Sequence, residues 1–220
     1  MNTHLPFADT PHSGILITFC GLDGSGKTTQ IQLLERELQR LGLPVFLTKQ
    51  PTDFVRQSDI FRTFMDTPNH DAYDYKALSL LAASDRVQHS NRTILPQLTE
   101  GKAVISDRYY YCCLANLRAR GYPNDRWVYE VAESIPGPDL AFFTDVEVDT
   151  AISRVRARES ERNRYIDVDL QHKLRHEFLR IACDNDGIIL STKEPAHVTA
   201  DKVRAKLHEM LPLLEKKYAS

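Results

Sequence analysis

The sequence predicts an α/β fold in which a five-stranded parallel sheet is flanked by helices on both faces. Short apolar runs rich in Val, Ile and Phe alternate along the chain with longer segments whose apolar residues recur at helical spacing. The chain has 220 residues, of which 42% are hydrophobic. This is enough to bury one sizeable core, so we expect a single domain.

The first predicted elements surround a glycine-rich loop. The apolar run at 15–20 is predicted to be a strand, and residues 27–41 are predicted to be a helix that stops at Gly42. Residues 21–29 lie between them and fit the phosphate-binding pattern G-x-x-x-x-G-K-[ST]. Strand, loop and helix in this order predict a P-loop NTPase fold.

The remaining elements follow the same alternation. Four further strands are expected at 44–48, 103–106, 139–144 and 187–191. Further helices are expected at 73–98, 110–120, 125–134, from about 148, at 167–184 and at 200–218. Residues 54–65 have a mixed pattern, and 192–195 form a polar loop. We expect residues 1–13 to be a flexible tail and residues 14–220 to be the single domain.

Composition narrows the range of partners. The formal net charge of −2 provides no global attraction to nucleic acid or to an anionic membrane. No apolar run approaches the roughly 18 residues needed to span a bilayer, and the first thirteen residues do not resemble a signal peptide. The four cysteines lack CxxC spacing, which predicts reduced thiols in a cytoplasmic protein. A redox-active pair at Cys112 and Cys113 is the less favoured alternative.

The glycine-rich loop predicts a site for ATP and Mg²⁺. Its glycines let successive backbone N–H groups approach phosphate oxygens at a helix N-terminus. We expect Lys27 to reach the β- and γ-phosphates and the Thr28 hydroxyl to hold Mg²⁺. The predicted nucleotide-binding residues of this loop are Gly21, Asp23, Gly24, Ser25, Gly26, Lys27, Thr28 and Thr29.

Two further groups carry charge suited to phosphoryl transfer. An arginine-rich run predicts a mobile lid at about 154–165, because the charge that spreads over the transferring oxygens is stabilised by guanidinium groups. At the end of the third strand, Asp107 is expected to hold Mg²⁺ through water and Arg108 to bind an acceptor phosphate. The alternatives are a solvated surface for the arginines and a structural ion pair for Asp107 and Arg108. The lid arginines expected to act in catalysis are Arg154, Arg156, Arg158 and Arg162.

Taken together, residues 21–30, Asp107-Arg108-Tyr109, Pro138-Asp139-Leu140 with Asp145-Val146, and the arginine run resemble the thymidylate kinase family. The resemblance implies transfer of phosphate from ATP to dTMP with Mg²⁺, and a homodimer. It assigns Asp23 to the acceptor sugar, Arg108 to the acceptor phosphate and Arg86 to the thymine edge. It also places Lys193 and Pro195 beside adenine. The predicted substrate-binding residues are Asp23, Gln50, Pro51, Arg86, Arg108, Cys112 and Asn116, and Lys27 and Arg108 join the lid arginines as catalytic residues.

Three departures from the family pattern bear on specificity. The acceptor loop reads Lys49-Gln50-Pro51-Thr52-Asp53 where the family commonly has Arg-Glu-Pro-Gly-Gly. Ala82 stands where a phenylalanine usually stacks on thymine, and Asn116 stands where an aromatic ring packs on the deoxyribose. The rings that could replace the platform are Phe54, Phe61, Tyr73 and Tyr75.

Two alternative functions remain open at this level. The first is a kinase for another pyrimidine nucleotide, which Asn116 leaves open, or for a nucleoside, which Gln50 disfavours because a nucleoside kinase needs a carboxylate base beside the sugar hydroxyl. The second is a non-catalytic module that binds ATP and regulates a partner, and its support is the altered acceptor loop and the missing stacking ring. An intact phosphate loop together with an arginine-rich lid argues against this module, because a sensor does not need both.

Overall fold

The computed structural model describes residues 3–218, apart from the side chains of residues 211 and 213–218. Five strands form one all-parallel sheet in the order β2-β3-β1-β4-β5. Their bounds are β1 Ile15–Cys20, β2 Val45–Lys49, β3 Ala103–Asp107, β4 Leu140–Asp145 and β5 Ile188–Ser191. The predicted five-stranded parallel sheet is therefore confirmed.

The helices alternate with these strands along the chain. They are α1 Lys27–Arg40, α2 Asp53–Arg56, α3 Asp59–Asp66, α4 Tyr75–His89, α5 Leu95–Thr99, α6 Tyr111–Ala119, α7 Trp127–Ala132, α8 Val148–Arg156, α9 Val168–Asp184 and α10 Ala196–Tyr218. A π-helical segment, Ser90–Ile94, joins α4 to α5, and a 3₁₀ turn, Glu159–Glu161, follows α8. None of the described helices is long and apolar enough to cross a membrane.

Helices cover both faces of the sheet, which explains why β1 is buried at every residue. On one face, Leu34 and Leu38 of α1 pack with Val203 and Leu207 of α10. On the other face, the core is built from α6, α9 and the α4 to α5 region. The central strand is thus shielded from solvent on two sides, as expected for a doubly wound sheet.

Several element boundaries differ from the sequence-based expectation. The helix expected over 73–98 contains the π-helical segment because Pro96 has no N–H to donate and its ring crowds the carbonyl four residues earlier. The mixed region at 54–65 forms the two short helices α2 and α3. The last helix begins at Ala196 and not at Ala200, since no glycine or proline separates these two residues.

The N-terminal segment also differs from the expectation. Residues 3–13 are not a loose tail but pack along the domain. Thr3 donates from its backbone N to Asp184 at 2.7 Å, and the Leu5 backbone N donates to Asn185 at 2.8 Å. Leu5 is 1% exposed, and the Phe7 ring packs against three consecutive tyrosines, Tyr109, Tyr110 and Tyr111. Residues 1 and 2 lie outside the described part of the chain.

Candidate active site

The glycine-rich loop connects β1 to α1 at the carboxyl edge of the sheet. Gly24 and Gly26 have φ angles of 80° and 91°, in the left-handed region that favours glycine. A Cβ on Gly24 would lie 2.1 Å from the Ala151 carbonyl oxygen, so any side chain there would collide with α8. The hydroxyl of Ser25 also lies 2.6 Å from that of Thr144, which ties the loop to β4.

Lys27 places its ammonium group inside this loop. The side chain is buried, and Nζ donates to the carbonyl oxygens of Leu22 at 2.7 Å and Gly21 at 3.1 Å. Burial, together with the charge of Arg108, lowers the pKa of Lys27 to about 8. A phosphate bound in the loop would place negative charge beside Lys27 and so favour its protonated form.

Asp23, the third residue of the loop, binds two guanidinium groups. Arg108 donates to one of its carboxylate oxygens, and Arg164 donates to the other at 2.9 Å. Burial opposes ionisation of Asp23, but the charges of Arg108, Lys27 and Arg164 outweigh it and hold the carboxyl pKa well below its usual range. Asp23 therefore stays ionised and aligns both arginines.

Arg108 reaches Asp23 from the end of β3 through a strained backbone. Its φ of 70° lies in the left-handed region, which is uncommon for a residue other than glycine. The backbone N donates to the Phe19 carbonyl at 2.8 Å, and Nη1 donates to the Gly21 carbonyl at 3.2 Å. Bonds from the neighbouring strand and the phosphate loop hold this conformation, as is typical of functional positions.

A cavity of about 480 Å³ lies between α4 and α6, and Arg108 and Arg164 are among the residues that line it. On α4 its walls are Tyr75, Ser79, Ala82 and Arg86, spaced at i, i+4, i+7 and i+11 and hence on one helical face. On the α6 side the walls are Cys112, Cys113, Asn116 and Arg120. The size is within the range of small-molecule binding sites.

Arg86 is the most buried cation of this cavity. It is 3% exposed, its Nη1 donates to the Ala82 carbonyl at 3.0 Å, and its Nε has no hydrogen-bond partner within the described residues. Burying an unpaired guanidinium is costly unless a ligand supplies acceptors. Arg86 is therefore positioned to donate to a polar edge of a bound molecule.

Most of the residues predicted to bind substrate reach this cavity, but Gln50 does not. Those that line it are Asp23, Pro51, Arg86, Arg108, Cys112 and Asn116. Gln50 is fully buried, and its Nε2 lies 3.1 Å from both His89 Nδ1 and Ser90 Oγ. The side chain that follows the edge strand β2 thus points into the core.

Arg56 is a cation of the cavity that follows the acceptor loop at residues 49–53, in which Lys49 stands where the family commonly has an arginine. Its Nε donates to the Pro51 carbonyl at 2.7 Å, and its side chain lines the cavity. Burial and the charge of Arg108 lower the pKa of Arg56. Sequence reasoning missed this residue because it lies in the segment of mixed pattern. The only signal was a basic residue five positions after Pro51.

The arginine run does not act as one face of a helix. α8 ends at Arg156, so Arg154 and Arg158, although four residues apart, do not share a helical face. Arg154 donates to the Thr192 carbonyl at 2.9 Å and braces the phosphate loop through the Gly24 carbonyl. Side chains that are exposed and do not line the cavity are those of Arg156, Arg158 and Arg162.

Arg164 is the arginine of this run that lines the cavity. Its two Nη atoms pair with Asp23 at 2.9 Å and with Glu161 at 2.8 Å. Arg164 is the last arginine of the run, and its position in the sequence does not distinguish it from the other arginines as the one that reaches the cavity. Only the turn Glu159–Glu161, which redirects the chain after α8, brings it to Asp23.

The residues expected to hold Mg²⁺ fit such an ion. Asp107 pairs in register with Phe19 of β1, one strand from the phosphate loop, and its Oδ1 is buried with no described hydrogen-bond partner. Thr28 is exposed at the start of α1. The described residues contain no group of three His, Cys, Asp or Glu suited to a metal. An ion here would take its other ligands from phosphate and water, as Mg²⁺ usually does.

The loop after β5 lies against the phosphate loop. The Thr192 hydroxyl donates to the Ser25 carbonyl at 3.0 Å. Lys193 and Pro195 are exposed there, and Lys193 Nζ pairs with Glu147 at 2.8 Å. Thr29 is also exposed, on the first turn of α1. Lys193 and Pro195 thus lie on the surface of the loop after β5 that contacts the phosphate loop.

Five phenylalanine and tyrosine rings line the cavity: Phe61, Phe64, Tyr75, Tyr165 and Phe178. Of the rings proposed to replace the missing platform, Phe61 and Tyr75 therefore reach the cavity. Phe54 is 74% exposed and Tyr73 is 39% exposed, and neither lines the cavity. Ala82 itself lies on the wall, so its small side chain widens the cavity.

Comparisons with known proteins agree with this geometry. A family model described as "Thymidylate kinase" matches residues 19–203. A probable thymidylate kinase of Pyrococcus horikoshii is 37% identical over 204 residues, which cover 91% of this chain and 99% of that protein. A probable thymidylate kinase of Pyrococcus abyssi is 35% identical, with the same two coverages. A thymidylate kinase of Trichlorobacter lovleyi is 32% identical and covers 84% of this chain and 93% of its own.

Proposed function

The chain belongs to the thymidylate kinase family of phosphotransferases, and from this membership we propose that it converts dTMP to dTDP with ATP as phosphate donor. We call the cavity between α4 and α6 the acceptor cavity. The observation that carries the proposal is the contact between the phosphate loop and this cavity. Asp23 of the loop binds Arg108, and both side chains line that cavity. Donor and acceptor phosphates would thus meet beside one pair of charged residues.

The mechanism we propose relies on positioning and on charge, with no covalent intermediate. The loop N–H groups and Lys27 bind the donor phosphates, and Arg108 with Arg56 binds the acceptor phosphate. Burial and the charge of Arg108 lower the pKa of Lys27, and the charge of Asp23 raises it, so Lys27 interacts with both of these side chains. The same cations would stabilise the charge that develops on the transferring group.

Magnesium is proposed as a cofactor. When bound, the ion supplies charge neutralisation between the donor phosphate oxygens. Thr28 would hold it directly, and Asp107 would hold it through water. The support on this chain is the unpartnered Oδ1 of Asp107, which needs either a cation or a water to satisfy it.

We propose that residues 154–165 form a lid and that Arg164 is its working arginine. In the free protein this guanidinium rests on Asp23 and Glu161. Bound phosphate would compete for it and draw it onto the transferring group. Arg154 would steady the phosphate loop from the other side, since it already bonds Gly24 and Thr192. Arg156, Arg158 and Arg162 would need a lid movement to take part.

A second candidate function is phosphorylation of another pyrimidine monophosphate. Ala82 and Asn116 both line the cavity, where the family has aromatic rings. Loss of a stacking ring typically costs about 1–3 kcal/mol per base, so Phe61 would have to supply that contact for dTMP, because Tyr75 lies about two turns from Ala82 on α4. The small Asn116 would leave room for a ribose hydroxyl.

Homodimerisation, a cytoplasmic location and the absence of a nucleic-acid partner are also proposals. All four cysteines are free, which is typical of a reducing compartment. Three of them are buried and Cys183 is exposed, so most of the thiols are protected. The net charge of −2 gives no general attraction to nucleic acid.

The test is steady-state transfer from ATP and Mg²⁺ to dTMP, dUMP, UMP, dCMP, CMP and thymidine, with ADP release followed in each case. The proposal predicts the highest kcat/KM for dTMP and no transfer to thymidine, which lacks the phosphate that Arg108 would bind. A preference for another monophosphate would support the second candidate. Failure to phosphorylate any of them would contradict both.

A further inference from the structure

The acceptor cavity continues past Ala82 to a wall that dTMP does not account for. Tyr75 precedes Ala82 by seven residues on α4, so the two positions are about 10 Å apart along the helix axis. Both line the cavity, together with Phe64 and Arg120. We call Phe64, Tyr75 and Arg120 the far wall. An inference from this wall rests on the proposed function, because it concerns the acceptor of the same reaction.

The far wall holds a guanidinium between two rings. The Arg120 Cζ lies 4.3 Å from the centroid of Tyr75 and 5.4 Å from that of Phe64. The two rings meet edge to face at 5.1 Å, so they form a rigid corner around the cation. Rings in this position fix the direction of a guanidinium and leave its N–H groups free to donate. The Arg120 Nε is buried and has no hydrogen-bond partner in the described structure.

The carboxylates of the cavity do not neutralise Arg120. Asp23 binds Arg108 and Arg164, Asp66 pairs with Arg62 at 2.7 Å, and Glu161 pairs with Arg164. Asp167 accepts from the backbone N of Leu170 at 2.9 Å, at the start of α9. The cavity is lined by six arginines and only four acidic residues. Within the described residues, Arg120 has no ion-pair partner, so the far wall is complementary to a negative charge.

A guanidinium donates hydrogen bonds and accepts none, and it matches a carboxylate through two parallel bonds. On a pyrimidine nucleotide, N1 carries the sugar, and C2, N3 and C4 form the polar edge that Arg86 is placed to read. C6 adjoins the glycosidic bond. Of the ring atoms, C5 is therefore the one from which a substituent can extend without displacing the sugar or that edge.

We propose that this enzyme phosphorylates pyrimidine 5′-monophosphates that carry an acidic substituent at C5, and that Arg120 binds the carboxylate. Ala82 opens the way, because a larger side chain on the same helical face would fill the space between base and far wall. The reaction is the same phosphoryl transfer, with the enlarged nucleotide in place of dTMP. Arg120 thus determines specificity and takes no part in the transfer step.

The experiment compares two acceptors that differ in charge but hardly in size. They are 5-carboxymethyl-2′-deoxyuridine 5′-monophosphate and its carboxamide, and dTMP serves as a reference in the same assay. A charge-assisted pair predicts that kcat/KM for the acid exceeds that for the amide by about tenfold to a hundredfold. Equal values, or a preference for the amide, would overturn the proposal in the wild-type protein without any variant.

Three variants then test the assigned residues through the ratio of acid to amide, which cancels a general loss of activity. Arg120→Met is expected to bring the ratio close to one, and Arg120→Lys to retain part of it. Arg62→Met is the matched control, because this arginine lines the same cavity but is paired with Asp66. An unchanged ratio in Arg120→Met, or a collapse in Arg62→Met alone, would refute the role of Arg120.

Ala82→Phe tests the path to the far wall. We expect it to lower kcat/KM for the acid at least about tenfold relative to dTMP, since the ring would occupy the space that the substituent needs. An equal effect on both acceptors would contradict the proposed path.

The same experiments distinguish failure of the proposed kinase function from failure of the inference about Arg120. Turnover of dTMP without preference for the acid rejects only the inference drawn from Arg120. If no acceptor is phosphorylated, calorimetric binding of the acid and the amide to the wild-type protein decides the matter. Tighter binding of the acid then supports the far-wall site, and equal binding rejects it.

Discussion

At the scale of single residues, Asp23 links parts of the chain that are distant in sequence. It holds Arg108 from the end of β3 and Arg164 from beyond α8, and both contacts lie next to Lys27. A carboxylate in this position keeps the two arginines aligned before any phosphate arrives. The order in which phosphates replace it would then govern when Arg164 is released for catalysis.

Replacing Arg164 tests its role as the working arginine of the lid. We expect Arg164→Met to lower kcat by at least about a hundredfold, because arginines that stabilise the transferring group contribute about 10³ to 10⁵ in rate. Arg162→Met should have a much smaller effect, since that side chain is exposed. The comparison is made by steady-state kinetics with saturating ATP and dTMP. Equal losses in the two variants would assign the role to the run as a whole.

Lys27 predicts a characteristic pH dependence. Its pKa is lowered to about 8 in the free protein, so the ammonium loses its proton as the pH rises through that value. The kcat/KM for ATP should therefore fall above pH 8, by about tenfold per unit at the limit. Bound phosphate raises the amine pKa again, so kcat should hold to higher pH. A kcat/KM that stays flat to pH 10 would show that Lys27 keeps its proton without phosphate.

At the scale of elements, two helices set the shape of the acceptor site. Positions i, i+4, i+7 and i+11 of α4 line the cavity on one side, and α6 lines it on the other. Helical spacing therefore accounts for the position of Ala82 in the wall, and Asn116 belongs to the wall formed by α6. The π-helical segment comes after Arg86 and leaves this spacing intact up to that residue. The groups that we propose to bind phosphate, in contrast, follow the carboxyl ends of β1, β2 and β3.

The N-terminal segment is a further element whose importance can be measured. Leu5 is 1% exposed, so Leu5→Ala should destabilise the protein by about 2–5 kcal/mol, as cavity-forming core substitutions do. Leu41→Ala, at a 36% exposed position, is the matched control, with an expected cost well below that of Leu5→Ala. Urea denaturation followed by circular dichroism provides the free energies of unfolding. Equal values would mean that residues 3–13 contribute little to the stability of the domain.

At the scale of the whole molecule, the features that the sequence predicts are those that depend on short local patterns of residues. The five strands and the phosphate loop are recognisable because apolar runs and glycine spacing are local signals. The packing of Leu5 and Phe7 cannot be recognised from local signals. It depends on surfaces formed by α6 and α9 and on the residues Asp184 and Asn185.

The same limit applies to the site. Asp23, Arg86 and Arg108 could be assigned from motifs, whereas the inward turn of Gln50 and the approach of Arg56 depend on how the segment after β2 folds back. Arg164 reaches Asp23 only because a 3₁₀ turn redirects the chain. Sequence spacing identifies the residue types that a phosphoryl-transfer site needs, and tertiary contacts decide which of them reach it.

The central claim is that a monophosphate acceptor docks on Arg108 beside the phosphate loop. The most direct measurement is the kinetics of Arg108→Met with each substrate varied in turn, with Arg92→Met as the control at an exposed position outside the cavity. Loss of a charge-assisted contact of about 1.5–3 kcal/mol predicts that kcat/KM for dTMP falls by about tenfold to a hundredfold or more, while the KM for ATP changes little. A variant with wild-type kcat/KM for dTMP would contradict this account of the acceptor site.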